Sequence, residues 1–311
     1  MVMRGDFNKN WIVMRHTLKY FGIIGVMFMC IGINAETVGP IPLWKNGAPG
    51  EPAIEGEEKD MTKPTDATVG GKPVIRLGNV TNPTLTFYPT DKETNGATVV
   101  IFPGGGYYIL AMDLEGTEVA QWLNSIGINA VVVKYRVPTR KGQERYKAPL
   151  QDAQRAMRIV RANAKKWGIN PERVGVLGFS AGAHLAAVLC ANSSTPTYDI
   201  SDDIDKIDCK PNFQVLVYPA YLTVKEKNDE IAPEVAVSSS TPPTFLVQTQ
   251  DDPIRAETSV FYYLALKKAR VKAELHIFPS GGHGYGLRSG KRVATTWPIL
   301  VESWLKDMQT P

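Results

Sequence analysis

Residues 175–184 read GVLGFSAGAH, and this stretch decides the fold. The apolar run Val174–Leu177 is typical of a buried strand, and the small residues from Ala181 onward favour a helix. Ser180 therefore stands in a G-x-S-x-G turn between a strand and a helix. A strained turn of this kind exposes a serine hydroxyl at the carboxyl edge of a sheet. It predicts a nucleophile at Ser180 rather than an ordinary tight turn.

Short β-branched runs alternate with helical patterns along the rest of the chain. The runs AVVV at 130–133 and VLVY at 215–218 are continuously apolar, as are strands buried on both faces of a parallel sheet. The alternation predicts one α/β domain, with a mostly parallel central sheet and helices on both faces. The predicted strands are Thr84–Tyr88, Thr98–Phe102, Asn129–Lys134, Val174–Leu177, Phe213–Tyr218, Thr244–Thr249 and Glu274–Phe278. The predicted helices are Glu115–Ser125, Pro149–Trp167, Ala181–Ala191, Ala256–Ala269 and Thr295–Met308.

The 311 residues are 43% hydrophobic and 21% charged, an ordinary globular composition. The formal net charge is +4, and much of it lies in residues 1–35. The remainder therefore predicts no nucleic-acid partner. In residues 1–35 a basic flank precedes the apolar run YFGIIGVMFMCIGI at 20–33, which is short for a membrane span. These residues are predicted to be a signal peptide cleaved after Ala35, with a retained anchor helix as the alternative.

Cleavage would leave no stable membrane span and predicts a secreted or periplasmic protein. Residues 36–71 are rich in Pro, Gly and Glu, which favours an extended N-terminal segment. Residues 72–311 are predicted to form a single catalytic domain. Cys190 and Cys209 would be the remaining cysteines, and both one disulfide and two free thiols stay open. Neither has metal-ligand spacing, so no metal and no organic cofactor is expected.

Three glycines follow the predicted strand Thr98–Phe102, in PGGGY at 103–107. Residues without side chains let backbone amides approach a substrate oxygen. A phosphate cradle is the alternative, but the lysine-containing phosphate-loop motif is absent from this sequence. The amides of Gly105 and Gly106, together with that of Ala181, are therefore predicted to form an oxyanion hole.

One of the four histidines is predicted to be the general base. His283 lies in SGGHGYG at 280–286, directly after the last predicted strand, where glycines allow the loop to fold over the serine. His16 lies in the targeting segment and His276 inside a strand. His184 follows Ser180 by one helical turn and is expected to pack or to form hydrogen bonds.

Two aspartates compete for the third position, in QDDP at 250–253. An acid here would orient the ring of His283 and stabilise its imidazolium form. Asp252 is favoured because DPIRAE resembles the acid loop of many esterases, and Asp251 remains the alternative. The chain order Ser, Asp, His is that of α/β-hydrolases.

From about Pro42 to the C-terminus the chain resembles α/β-hydrolases of the esterase/lipase type, because PGGGY, GFSAGAH, QDDP and GGHGYG follow one another in the right order. IPLWKNGAPG at 41–50, DLEGTEVAQWL at 113–123 and TPPTFLVQTQDDP at 241–253 are similar to exported bacterial carbohydrate esterases of the acetylxylan- and feruloyl-esterase-like group. The sequence departs from relatives at Pro103, where many have histidine, and at Gln248-Thr249, where many have His-Gly.

The resemblance implies a serine esterase that removes O-acyl groups from plant-type polysaccharide or oligosaccharide, and O-acetyl is the expected acyl group. Alternatives are a feruloyl esterase, a serine exopeptidase of the same fold, a small-substrate lipase, and a non-catalytic binding protein. Four tyrosines near the predicted site are candidates for stacking on sugar rings, with packing as the alternative: Tyr107, Tyr108, Tyr135 and Tyr221. Glu115 either reaches the acyl pocket or is an acid in the first turn of a helix.

Overall fold

A computed structural model of the chain describes residues 36–51, 56–288, 290 and 292–309. The predicted signal peptide, residues 1–35, lies outside the described residues. Eight strands form the central sheet: β1 (Val38–Pro42), β2 (Thr84–Tyr88), β3 (Thr98–Phe102), β4 (Asn129–Lys134), β5 (Val174–Phe179), β6 (Gln214–Val217), β7 (Thr244–Thr249) and β8 (Ala273–Phe278). They lie in the order β1-β2-β4-β3-β5-β6-β7-β8.

The sheet is mostly parallel, as predicted. Strand β2 pairs antiparallel with β1 and with β4, and every other neighbouring pair in the sheet is parallel. The carboxyl ends of the parallel strands meet at one edge, where ligands of open α/β sheets bind. The loops after β3, β5, β6, β7 and β8 therefore begin on the same side of the molecule.

The helices are α1 (Glu118–Ser125), α2 (Lys147–Ala162), α3 (Ala164–Trp167), α4 (Ala181–Asn192), α5 (Glu257–Lys268) and α6 (Arg292–Gln309). A π-helical turn at Asp113–Thr117 leads into α1. Shorter strands form a small sheet from Lys59–Asp60, Arg76–Gly78 and Ile109–Ala111, and a hairpin from Thr223–Val224 and Glu230–Ile231. Within the described parts of the chain, no helix is long and apolar enough to cross a membrane.

Helices cover both faces of the sheet, which confirms the predicted architecture. Along β3 the side chains of Val99 and Ile101 pack with α1 and α6. Those of Val100 and Phe102 pack with α2, α4 and α5 on the other face. Successive side chains of a strand point to opposite faces, and a strand apolar at every position therefore needs both faces covered.

The predicted strands Thr84–Tyr88, Thr98–Phe102, Asn129–Lys134 and Thr244–Thr249 have the bounds that the structure shows. Strand β1 was not predicted, since its sequence VGPIP contains two prolines. Proline lacks the amide needed inside a sheet and is tolerated at an edge, which is where β1 lies. The boundary between an extended segment and a catalytic domain at residue 72 stays a prediction.

From the sequence, the polar stretch at residues 192–212 is expected to be one of the loops that frame a site above the sheet, and the structure shows where this stretch ends. The segment ends at the opposite edge, where the Asn212 amide donates to the carbonyl of Val174 at the start of β5 (2.8 Å). A helix that follows a parallel strand returns the chain to the amino edge. The connection from α4 to β6 must therefore end there.

Cys190 and Cys209 are free thiols, and both are buried. Burial raises the pKa of each thiol above its ordinary value, which keeps both in the unreactive protonated form at neutral pH. Of the two possibilities that the sequence left open, the structure has the free thiols.

Candidate active site

Ser180 lies between β5 and α4 in a strained backbone conformation, with φ of 51° and ψ of −117°. Its amide donates to the carbonyl of Val217 at the end of β6 (3.0 Å). Two residues later, a Cβ on Gly182 would lie 2.0 Å from the carbonyl oxygen of Phe102. The turn is thus pressed against the ends of neighbouring strands, and strain held by surrounding structure is typical of functional sites.

The structure brings Ser180, His283 and Asp252 into one hydrogen-bonded chain. His283 Nε2 lies 2.8 Å from Ser180 Oγ, and His283 Nδ1 lies 2.8 Å from Asp252 Oδ2. The Asp252 side chain is fully buried, whereas that of His283 is 24% exposed. Because an ionised carboxylate only accepts hydrogen bonds, Nδ1 is the donor and Nε2 is left to accept the serine proton.

Asp251, the alternative acid, makes different contacts. Its Oδ1 accepts the amides of Gly281 (2.9 Å) and Gly282 (2.7 Å), which immediately precede His283. These two hydrogen bonds hold the pKa of Asp251 below its ordinary value. Asp251 therefore shapes the histidine loop, and the side chain that reaches the ring is that of Asp252.

The predicted oxyanion donors lie at the ends of β3 and β5. Gly105 has φ of +134°, and a Cβ there would lie 2.1 Å from the Ile109 carbonyl, so this position accepts only glycine. Ala181 is the first residue of α4, where an amide has no partner within the helix. In the described part of the chain no acceptor takes the amides of Gly105, Gly106 or Ala181.

The first glycine of the loop is bound differently, and the contact was not foreseen. The Gly104 amide donates to Glu115 Oε2 (2.7 Å), and the Tyr218 hydroxyl donates to Glu115 Oε1 (2.8 Å). Glu115 lies in the π-helical turn and is only 4% exposed. Burial raises its pKa, which the hydrogen bond from Tyr218 partly offsets. Of the two suggestions from the sequence, the acid in the first turn of a helix describes the position of Glu115, but the sequence did not indicate these two hydrogen bonds.

The four tyrosines differ in exposure. Tyr107 and Tyr135 are fully buried, so the suggestion that they stack on sugar rings was wrong. The Tyr135 hydroxyl donates to the Pro103 carbonyl (2.5 Å), which supports the start of the glycine loop. Tyr108 is 70% exposed, and Tyr221 carries the guanidinium of Arg145 over its ring, 4.1 Å from the centroid.

His184 packs and forms hydrogen bonds, as expected. It is buried beneath the glycine loop, with Nδ1 2.8 Å from the Tyr107 hydroxyl and Nε2 3.4 Å from Glu234 Oε1. Burial lowers its pKa against the opposing effect of Glu234, which favours the neutral ring. His276, in β8, lies 2.6 Å from Glu274. Among the described residues, no group of three His, Cys, Asp or Glu side chains could hold a metal ion.

Comparison with known proteins places this chain in a family. Residues 99–237 match the family model described as alpha/beta hydrolase fold. An acetylxylan esterase of Xylanibacter ruminicola is 32% identical over 244 residues, which are 71% of this chain and 47% of that protein. An endo-1,4-beta-xylanase B of Butyrivibrio fibrisolvens is 28% identical over 220 residues, 65% of this chain and 34% of that protein. The chain thus spans about half or less of the length of these two relatives.

A solved structure matches over more of its own length. The acetyl ester-xyloside bifunctional hydrolase from Caldicellulosiruptor lactoaceticus is 36% identical, with a TM-score of 0.67. The match covers 86% of this chain and 96% of that one. The order of the strands, the turn at Ser180 and these similarities agree, and the chain belongs to the α/β-hydrolase family, where it groups with the carboxylic ester hydrolases.

Proposed function

We propose that the chain is a serine esterase that removes O-acyl groups, in the first place O-acetyl groups, from plant-type polysaccharides or oligosaccharides. The observation that carries this proposal is the hydrogen-bonded chain Ser180–His283–Asp252. The Ser180 end of this hydrogen-bonded chain lies beside the glycine loop. The amides of Gly105 and Gly106 in that loop have no acceptor among the described residues. This constellation suits acyl transfer, because a nucleophile, a base and an acid that orients the base stand in sequence.

Acylation begins when Ser180 Oγ attacks the ester carbonyl. His283 Nε2 takes the serine proton, and the buried carboxylate of Asp252 stabilises the imidazolium that forms. The proton then passes to the leaving oxygen, a sugar hydroxyl, as the carbon–oxygen bond of the ester breaks. The products of this half-reaction are the deacylated sugar and an acyl-enzyme on Ser180.

The amides of Gly105, Gly106 and Ala181 are assigned the role of donating hydrogen bonds to the negatively charged oxygen of the tetrahedral intermediate. Ala181 adds the positive end of the α4 dipole to this site. Removal of one such donor typically lowers the rate by about 10²–10³. Water then attacks the acyl-enzyme, again with His283 as base, and releases the carboxylic acid.

The carbohydrate part of the proposal is supported by the relatives and by exposed aromatic groups. The relatives named above are an acetylxylan esterase, a xylanase and an acetyl ester-xyloside hydrolase. Tyr108 follows the glycine loop and is 70% exposed. An exposed aromatic ring next to the glycine loop is suited to stacking on a sugar. We extend the proposal to export into the periplasm or the medium, which depends on residues 1–35.

The test compares wild type with Ser180→Ala on acetylated xylan, p-nitrophenyl acetate and methyl ferulate. Acetate release should fall by at least about 10³ in Ser180→Ala. Ser259→Ala is the matched control, because Ser259 is a buried serine whose hydroxyl has no partner among the described residues, and it should keep full activity. Turnover of ferulate without acetate release would move the assignment to a feruloyl esterase. A folded wild type that hydrolyses no ester would contradict the proposal.

A further inference from the structure

The carboxylate of Glu115 connects the two loops that carry the proposed oxyanion donors and the proposed base. On one side it accepts the Gly104 amide at 2.7 Å, next to the unbonded amide of Gly105. On the other side it accepts the Tyr218 hydroxyl at 2.8 Å. Glu115 forms no hydrogen bond with Ser180 or His283 in the described part of the chain, but it binds the glycine loop directly, next to a proposed oxyanion donor.

Tyr218 continues the connection to the histidine loop. Its hydroxyl accepts the amide of Gly286 (3.1 Å), three residues after His283. Its ring packs edge-on against the His283 ring, with 4.8 Å between the centroids. Tyr218 directly follows β6 and has a positive φ of 39°. A non-glycine residue in this region is strained unless its surroundings hold it there.

The direction of the hydrogen bonds matches an ionised carboxylate. The Gly286 amide can only donate, so the Tyr218 oxygen accepts from it and the hydroxyl proton points to Glu115. The Gly104 amide also can only donate. Both oxygens of Glu115 therefore accept, and a carboxylate is the side chain that offers two acceptors and no donor.

Simple packing does not explain an acid at this position. No Lys or Arg side chain lies within ion-pair distance of Glu115 among the described residues. Burying a carboxylate without a cation is costly unless its oxygens are hydrogen-bonded, so packing alone does not favour an acid here. What Glu115 contributes is two directed hydrogen bonds, both to elements of the site.

We propose that Glu115 is a positioning residue that holds the glycine loop and the histidine loop in register through Gly104 and Tyr218. The assignment rests on the proposed function, because it concerns the same reaction. By occupying the Gly104 amide, Glu115 maintains the loop conformation in which the next two amides stay available. Through Tyr218, whose ring packs against that of His283, it supports the ring that Asp252 orients.

The test uses Glu115→Gln, Tyr218→Phe and the double variant, with p-nitrophenyl acetate as substrate. Glutamine keeps the volume but offers one acceptor, and phenylalanine removes only the bridging hydroxyl. In each single variant kcat should fall by about 10–100-fold, while KM stays within about threefold, because the lost interaction positions groups that act in the transition state. The double variant should be no slower than the slower single variant, since both changes break one connection.

Asp205→Asn is the matched control, since Asp205 is a buried carboxylate in a cluster around Arg155. It should lose stability and keep kcat, whereas the site variants should lose kcat at temperatures well below unfolding. Site variants with kcat within twofold of wild type, or with additive effects, would overturn the proposal while leaving the esterase function intact. If wild type hydrolyses no ester, the proposed function fails. The rate of Ser180 labelling by a fluorophosphonate then decides: equal rates in wild type and Glu115→Gln overturn the positioning role.

Discussion

Asp251 and Asp252 are neighbours with the same side chain, and the environment gives them different roles. The carboxylate of Asp252 is buried against the His283 ring. That of Asp251 is exposed and accepts two backbone amides of the histidine loop. A carboxylate that contacts an imidazole selects its tautomer. One that binds amides only shapes the backbone.

We therefore expect Asp252→Asn to lower kcat by about 10³–10⁴, because an amide can stabilise the wrong tautomer of His283. Asp251→Asn keeps one oxygen that can accept the two amides, so its kcat should fall less than about tenfold. Steady-state kinetics with p-nitrophenyl acetate at neutral pH measures both. A larger loss in Asp251→Asn than in Asp252→Asn would reverse the assignment of the acid.

At the scale of elements, the end of β3 and the start of α4 approach each other with no space for a side chain. A Cβ on Gly182 would lie 2.0 Å from the Phe102 carbonyl and 2.6 Å from that of Pro103. Both neighbours are backbone atoms at the base of the glycine loop. The turn at Ser180 and the glycine loop therefore share one packing constraint.

Gly182→Ala should destabilise the protein by about 2–3 kcal/mol, because overpacking here must displace backbone. Gly168→Ala is the control: Gly168 has a left-handed backbone conformation (φ of +66°) that strains any other residue, but a Cβ there would meet nothing within 4 Å. It should lose about 1 kcal/mol. Urea unfolding monitored by fluorescence gives both values. Equal losses would show that contact with Phe102 is not limiting.

A second connection between elements is the cluster of Arg155 in α2 with Asp202 and Asp205. Burial opposes the ionisation of Asp205, but hydrogen bonds from Ser201, Tyr198 and Arg155 outweigh it and lower its pKa to about 2. The Arg155 hydrogen bond likewise lowers the pKa of Asp202. Carboxylates with lowered pKa stabilise the fold only while they are ionised.

This stabilisation should be complete above about pH 4 and should disappear as the pH falls toward about 2. At pH 7, Asp205→Asn should be less stable than wild type by about 1–2 kcal/mol. The difference should shrink between pH 4 and pH 2, because the unfolded chain then binds a proton at Asp205 that the folded chain binds only near pH 2. Unfolding free energies measured across this range test the sign. A difference that grows on acidification would contradict it.

At the scale of the whole molecule, a buried ion pair ties the N-terminal segment to the sheet. Arg136 follows β4, and its Nε lies 2.9 Å from Asp152 Oδ2 in α2, with both side chains fully buried. Arg136 also donates to Glu51 (3.1 Å), and Trp44 donates to Asp152 (2.8 Å). The pair joins three parts of the chain that are distant in sequence.

Asp152→Ala should lower the free energy of unfolding by about 3–5 kcal/mol, because it leaves the Arg136 charge buried beside fewer partners. Lys306→Ala, which removes an exposed pair with Glu302, should change it by less than about 1 kcal/mol. Urea titrations at pH 7 compare the two. Similar small losses in both variants would mean that water reaches Arg136 once Asp152 is removed.

Local sequence patterns were sufficient to predict much of the secondary structure and of the candidate site. The apolar strands, the helix after Ser180 and the three glycines are readable because strand burial, helix spacing and turn strain act over a few neighbouring residues. The edge strand β1 was not predicted, because a short sequence with two prolines is typical of a loop. The edge at which residues 192–212 end was not readable, because sequence distance from a motif does not indicate which edge of a sheet a loop reaches.

The sequence by itself determined the fold class, the serine turn, and the histidine and aspartate candidates. Only the tertiary structure decided that Asp252 rather than Asp251 reaches His283, and that Glu115 joins Gly104 to Tyr218. Glu115 and Tyr218 are separated by 103 positions, and nothing local in either segment encodes their contact. Such contacts form when separate strands end at one edge of a sheet, so they follow from packing of the whole chain.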